Sequence, residues 1–255
     1  MPFTKIQSEK LSSSVVQQIE LLILRGILRA GDRLPAERDL SQQLGISRPS
    51  LRNAITDLSN RGLLVSRAGS GIFVAEHLGS AFSESLITLF SRHDEAVFDT
   101  IDFRTDMEGL AAERAARIAS DTDLKIINSV FQKMQTAHDK VDPSDEARLD
   151  ADFHMAIIEA GHNVIMLHMM RSMFQLLREG VFYNRQVIFR QKTTRRSMLN
   201  QHRAINDAIQ NRNPDAARAA VQSHLQFVKQ ALVDERKLEK NEITARMKFE
   251  REQNR

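Results

Sequence analysis

The sequence predicts a mostly α-helical protein in two parts, and three observations carry that prediction. Residues 1–76 hold three of the five prolines of the 255-residue chain and read as short elements separated by turns. From residue 80 onward, long stretches repeat their apolar residues at helical spacing, with breaks at "DPSD" (142–145), "AGHN" (160–163) and "NRNPD" (211–215). The stretch "LLVSRAGSGIFVAE" (63–76) is the one convincing hairpin, two β-prone runs joined by a glycine-rich loop. The domain plan is therefore a first domain at 1–76, a linker and bundle entry at 77–94, a helical domain at 95–235, and a charged tail at 236–255, expected to be a frayed helix or flexible.

Composition sets the class. A hydrophobic content of 42% and a charged content of 27% are ordinary for a soluble globular protein. No apolar run approaches the ~18–20 residues of a membrane span, and "MPFTKIQSEK" does not read as a signal peptide, so a cytoplasmic protein without membrane contact is expected. There are no cysteines, which excludes disulfides and thiolate metal sites. The net charge of +3 is unevenly spread: residues 1–76 carry 10 Lys+Arg against 7 Asp+Glu, a mild pointer to a polyanionic partner for that segment.

The elements of the first domain follow in order. A helix is expected over roughly Ser12 to Arg29, with Val15, Ile19, Leu22 and Ile23 on one side. In "LPAERDLSQQLG", Pro35 opens a second helix, Glu37 sits near its positive end and Gly45 ends it. In "ISRPSLRNAITDLSNRG", Ser47 caps a third helix, Pro49 fits its first turn, and Leu51, Ile55 and Leu58 form the buried stripe. Two short helices joined by a tight glycine turn and followed by a hairpin describe a winged helix-turn-helix. Its second helix enters the major groove, where the outward Arg48 and Arg52 suit guanine and Ser47 and Ser50 suit phosphates. Arg38 would face the same groove or its backbone, and Arg67 with Gly69 would bring a cation and bare backbone to the minor groove. The competing reading, that these arginines are a solvated helix face, holds better for any one of them than for the whole arrangement. Arg61 reads instead as a helix-end residue, and Arg25 and Arg29 as ordinary surface.

The segment "GDRLPAERDLSQQLGISRPSLRNAITDLSNRGLLVSRAGSGIFV" resembles the N-terminal domain of the GntR superfamily of bacterial transcription regulators, over residues 10–75. The resemblance implies that Arg38, Arg48 and Arg52 contact double-stranded operator DNA, with Gly69 at the wing tip.

The second part reads as an all-helical bundle of six or seven helices. "SDTD" (120–123) looks like a capping box, and Asn213 a cap with Pro214 in the first turn. In "RLDADFHMAIIEAG" (148–161), Leu149, Phe153, Ala156, Ile157 and Ala160 make one apolar stripe, yet Asp150 and His154 share a face between that stripe and Ile158. Two further histidines lie in apolar rows: His202 with Met198, Ile205 and Ile209, and His224 with Val221, Val228 and Ala231. A lone histidine on an apolar face is usually a hydrogen-bonded core residue, but three neutral imidazoles satisfy one another only in part, whereas a divalent metal satisfies all of them. Three His and one Asp without Cys suit zinc, nickel or manganese better than calcium. Spacing alone does not bring the four together.

Residues 95–232 resemble the FadR-type (FCD) C-terminal domain of the same superfamily, an antiparallel helical bundle. The D-x-x-F-H pattern of its metal-binding members falls on Asp150 and His154, and its later histidines on His202 and His224. That resemblance implies a metal site of those four residues, zinc first among the candidates. Arg104 lies on an inward-facing row after Val97 and Ile101; it reads either as an ion pair with Glu108 or as a clamp for a ligand carboxylate, and the resemblance implies the clamp. Within the family, "VFDTIDFRTDMEGLAAERAA" and "LDADFHMAIIEAGHNVIML" are similar to regulators of glycolate, lactate and pyruvate metabolism, which implies a small 2-hydroxy or 2-oxo acid as effector.

The expected protein is a homodimeric, non-enzymatic transcription regulator, since two half-sites multiply the limited affinity of one small reading head. The linker near His77–Ser83 is the expected hinge through which an effector alters DNA binding. Two rivals stand beside it: a constitutive DNA-binding protein with a purely structural metal, and a metal-dependent hydrolase, against which no acid beyond Asp150 is evidently placed as a general base.

Overall fold

The computed structural model describes residues 8–76, 81–139, 144–178 and 192–253. Apolar side chains collect in two separate cores, and the chain divides accordingly into one unit up to Ala81 and another from Phe82. The expected hinge lies partly outside the described residues, since these omit 77–80.

In the first unit, α1 (Ser8–Leu24) buries Val15, Ile19 and Ile23. It stops five residues short of the expected end because Gly26 takes a left-handed φ of 71° and its N–H returns to the carbonyl of Ile23. Helix α2 (Glu37–Leu44) starts at Glu37 rather than at Pro35, with Ala36 in the N-cap position, and ends at Gly45 with φ 65°. Helix α3 (Arg48–Asn60) is capped by Ser47, whose side chain accepts from the Ser50 N–H, and buries Leu51, Ala54, Ile55 and Leu58. Strands β1 (Leu64–Arg67) and β2 (Gly71–Val74) pair antiparallel with Leu64 opposite Val74 and Arg67 opposite Gly71. The backbone of residues 31–34 runs along the outer side of β2, where the Leu34 N–H reaches Ile72 O and the Val74 N–H reaches Asp32 O, each at 2.9 Å. The hairpin edge that would otherwise carry open N–H and C=O groups is thereby covered.

The second unit contains seven helices among the described residues: α4 (Glu84–Phe90), α5 (Asp94–Ile118), α6 (Asp121–His138), α7 (Ser144–Ala160), α8 (Val164–Arg178), α9 (Lys192–Gln210) and α10 (Pro214–Gln253). Their ends are where local chemistry stops them. Ser120 and Asp123 make a reciprocal capping box at the start of α6. The Asn163 side chain accepts from the N–H groups of Ile165 and Met166, and that of Asn213 from Ala216, each at 3.1 Å. The first half of the "DPSD" break, residues 142–143, lies outside the described residues, and α7 is already helical from Ser144. The core gathers Ile101, Ala112, Ile127, Phe153, Ile157, Met170, Phe174, Ile205 and Leu225.

Where a frayed helix or a flexible tail was expected from residue 236, the described residues are helical, α10 running on to Gln253. No glycine and no later proline interrupts the run, strong helix formers fill it, and Arg246 pairs with Glu242 one turn away at 3.0 Å. Its apolar residues Leu238, Ile243, Met247 and Phe249 are exposed.

Candidate metal centre and nucleic-acid interface

Three helices of the second unit deliver one cluster of four residues. Asp150 and His154 come from successive turns of α7, His202 from α9 and His224 from α10, and all four side chains are buried. Each offers one ligand atom, and these atoms lie within 4.8 Å of one another. Asp150 Oδ1 is 3.1 Å from His202 Nε2 and 3.8 Å from His154 Nε2, and the two Nε2 atoms are 3.4 Å apart. The His224 ring centroid lies 4.4 Å from that of His202 and 5.2 Å from that of His154. The four residues marked by misplaced polarity in the sequence therefore converge on one point.

The imidazoles are oriented from behind. Glu108 on α5 has Oε2 2.6 Å from His154 Nδ1, which makes Nδ1 the protonated nitrogen and turns the Nε2 lone pair toward the cluster. Gln201 Oε1 accepts from His224 Nδ1 at 2.9 Å, with the same consequence. Burial, and then the neighbouring His202 and His154, push the His224 imidazole well below its ordinary 6.5, so it is neutral. Phe153 meets His202 edge-on at 5.4 Å and Phe174 stacks on His154 at 6.2 Å, closing the cluster in an apolar wall.

This donor set fits a divalent cation. Lone pairs of neutral imidazoles and a carboxylate aimed at one another repel unless a positive charge sits between them. Ligands at about 2.0–2.1 Å around a tetrahedral zinc are about 3.3 Å from each other, close to the spacings of Asp150, His154 and His202. Nickel and manganese accept the same nitrogen and oxygen donors.

Arg104 stands beside this cluster. Its Nε donates to Glu108 Oε1 at 2.6 Å, both side chains only 2% exposed, and its guanidinium lies 5.0 Å from the Phe174 ring centre. The intrahelical ion pair considered for Arg104 is thus formed, and Glu108 links Arg104 to His154. Burial alone would raise the Glu108 carboxyl, but Arg104 and His154 outweigh it and hold it at about 2. A buried pair also stands at another edge: the Arg195 guanidinium on α9 donates bidentately to Glu146 on α7, and its Nη2 to the His138 carbonyl at 3.0 Å. Together with Met134, Met198, Leu199 and His202 these residues line a void of about 10 Å³, room for about one water. Glu108, Gln201 and the Glu146–Arg195 pair were not singled out from sequence as parts of the site. Only Glu108 left a trace, as a partner of Arg104; the others depend on contacts between helices. His162 and His168 lie outside the cluster, His162 making an exposed pair with Asp123 at 2.9 Å.

In the first unit, Arg38, Ser47, Arg48, Arg52, Arg67 and Gly69 are exposed. Arg48 has no ion-pair partner among the described residues, while Arg52 Nε donates to Glu37 Oε2 across the helix turn at 2.8 Å. Arg67 holds Glu76 at 2.7 Å and lies 4.8 Å from the Phe73 ring centre. Gly69 has φ 71°, and a Cβ added there would meet nothing within 4 Å, so the tip is open. Ser50 departs from the expectation. It is buried, and its hydroxyl lies 2.9 Å from that of Ser47, because the position after Pro49 turns toward the core; this takes it out of the phosphate-facing set. Arg61 is a C-cap residue paired with Asp57 and Glu20, as its place at the helix end suggested.

Comparison with known proteins matches residues 99–227 to the FCD domain and residues 11–74 to the bacterial regulatory proteins of the gntR family. A protein of Escherichia coli (strain K12) named for the L-lactate dehydrogenase operon is 34% identical over 223 residues, covering 86% of this chain and 85% of its own. The Glc operon transcriptional activator of the same organism is 32% identical over 223 residues, covering 86% and 88%. LutR of Bacillus subtilis (strain 168), an HTH-type transcriptional regulator, is 27% identical over 212 residues, covering 83% and 96%. Among solved structures, a GntR protein of Streptococcus agalactiae superposes with a TM-score of 0.55 at 23% identity, covering 88% of this chain and all of that one.

Proposed function

The chain is a transcription regulator of the GntR family with an FCD domain, not an enzyme, and from that premise we propose that a divalent metal and a small carboxylate effector together control its binding to operator DNA. The observation that carries this reading is the convergence of Asp150, His154, His202 and His224 beside a buried arginine. Asp150 and the three imidazoles hold the metal, zinc being the best match to the donor set. With four protein ligands already in place, the metal would supply a Lewis-acidic position for an effector oxygen only by expanding its coordination beyond four. Arg104 neutralises the effector carboxylate, and Glu108 keeps both Arg104 and His154 in place. Glycolate, lactate and pyruvate are the candidate acids, and one of the relatives is named for an L-lactate dehydrogenase operon.

Arg104 is 1% exposed and does not line the void beside His202, so a two- or three-carbon acid reaches Arg104 and the metal only as neighbouring side chains move. An effector regulates only as far as it binds two arrangements differently, and that displacement provides the difference. The DNA-binding unit reads operator DNA in the cytoplasm as a homodimer, with Arg48 and Arg52 toward base edges, Arg38 and Ser47 toward the backbone, and Arg67 and Gly69 toward the minor groove. Sequencing the genomic DNA captured by the purified protein, with and without each acid, tests the whole reading. One defined operator whose capture changes with one acid is expected; capture that no acid alters supports a constitutive regulator with a structural metal.

A further inference from the structure

The three arginines on the DNA-facing side of the head are held very differently. Among the described residues, the one ion pair of Arg38 is with its sequence neighbour Asp39, at 3.3 Å, with both side chains more than half exposed. Arg48 has no ion-pair partner among the described residues. Arg52 alone is tied to another helix: Glu37, the first residue of α2, places Oε2 2.8 Å from Arg52 Nε, and the Glu37 side chain is 34% exposed against 68% for Arg52. A carboxylate beside a surface that binds phosphate repels DNA, so its presence there calls for an explanation.

The explanation lies in which atom it holds. Glu37 engages Nε, on the side of the guanidinium, which leaves the terminal fork of Nη1 and Nη2 without an ion pair among the described residues. Reading guanine through O6 and N7 needs that terminal fork in a fixed plane. An unrestrained arginine must be ordered when it binds and contacts phosphates as readily as bases, whereas one held at Nε is ordered beforehand and aimed. We infer that Glu37 is a positioning residue that orients Arg52 for guanine, improving sequence discrimination while weakening non-specific attraction. This rests on the reading of Arg52 as a base contact.

The test selects duplexes from a randomised pool with the full-length protein, then measures affinity for the selected duplex and for a scrambled one of equal length. Wild type, Arg52→Ala, Glu37→Gln and Glu37→Asp are compared. Arg52→Ala is expected to erase the preference for one guanine. Both Glu37 variants should flatten that same position and lower the ratio of selected to scrambled affinity by about tenfold. Glu37→Gln should in addition bind the scrambled duplex about two- to fivefold more tightly, because it removes a negative charge, whereas Glu37→Asp keeps the charge and should bind it as wild type does. If Arg52→Ala leaves every position unchanged, the base-contact reading fails and the inference with it. If Arg52→Ala erases the guanine but either Glu37 variant retains it, the inference alone is overturned. It is equally overturned if both variants weaken selected and scrambled binding by the same factor, since Glu37 would then act through the fold.

Discussion

Glu108 Oε2 on α5 lies 2.6 Å from His154 Nδ1 on α7, both side chains buried. A carboxylate behind a histidine that faces three other potential ligands is the arrangement by which proteins fix the tautomer and basicity of a metal-binding imidazole. The same carboxylate holds Arg104, so the metal-type cluster and the proposed effector cation share one support.

Removing one ligand should empty the site. His202→Ala or Asp150→Ala is expected to lower zinc content, measured by elemental analysis of the purified protein, from about one per chain to a small fraction of that. The same variants should lose the thermal stabilisation that added zinc gives the wild type. Stoichiometric zinc in both variants would place the metal elsewhere.

Glu108→Gln should act twice. It weakens zinc affinity by about 10- to 100-fold, read by competition with a chelating dye, because Nδ1 of His154 loses its carboxylate. It also leaves Arg104 buried without its counter-charge, a loss of about 3–5 kcal/mol in denaturant unfolding. Replacing the pair together, Arg104→Met with Glu108→Gln, should cost less stability than Glu108→Gln alone. A double variant at least as unstable as the single one would show that the pair is not the unit of stability.

A pH dependence follows from the α6 cap. Burial works to raise the Asp123 carboxyl, but hydrogen bonds from the Ser120 side chain and backbone, and the His162 contact, prevail and hold it below its usual 3.8. A depressed carboxylate contributes stability above its unfolded pKa and loses it as pH falls through the folded one. Asp123→Asn should therefore cost about 1 kcal/mol near neutrality, or about 2–4 °C in Tm. The gap from wild type should close as pH drops below 3.8. A gap that stayed constant from pH 7 to pH 3 would rule the carboxylate out as its source.

On the DNA face, Arg48→Ala should weaken operator binding by about 1–3 kcal/mol at unchanged Tm. Ser50→Ala, altering a buried hydroxyl paired with Ser47, should change operator affinity less than twofold at constant stability-corrected concentration. A loss for Ser50→Ala as large as for Arg48→Ala would mean that the serine turns outward on DNA.

Much of the site was legible before any coordinates, and for one reason. Helical periodicity assigns each position to a face, so Asp150, His154, His202 and His224 stood out as polar groups on apolar rows. The caps at Ser47, Ser120 and Asn213 were legible because capping acts within three residues. Contacts across helices were not: Glu108 to His154 spans 46 residues, Arg195 to Glu146 spans 49, and Arg52 to Glu37 spans 15. Ser50 was misassigned because the small rotation after Pro49 decides between core and solvent. The end of α1 was overrun because an apolar pattern continues through Leu28 while Gly26 has already turned the backbone left-handed.

The measurement that reaches the central claim most directly is calorimetric titration of glycolate, L-lactate and pyruvate into three preparations: zinc-loaded wild type, chelator-treated wild type, and zinc-loaded Arg104→Met. If metal and arginine form one carboxylate site, at least one acid binds the zinc-loaded wild type, and its affinity falls by tenfold or more in each of the other two. At a concentration one hundred times its Kd, that acid should also stabilise the zinc-loaded fold by about 2.7 kcal/mol. Binding that survives both metal removal and loss of Arg104, or no binding of any acid to the zinc-loaded protein, would contradict the account.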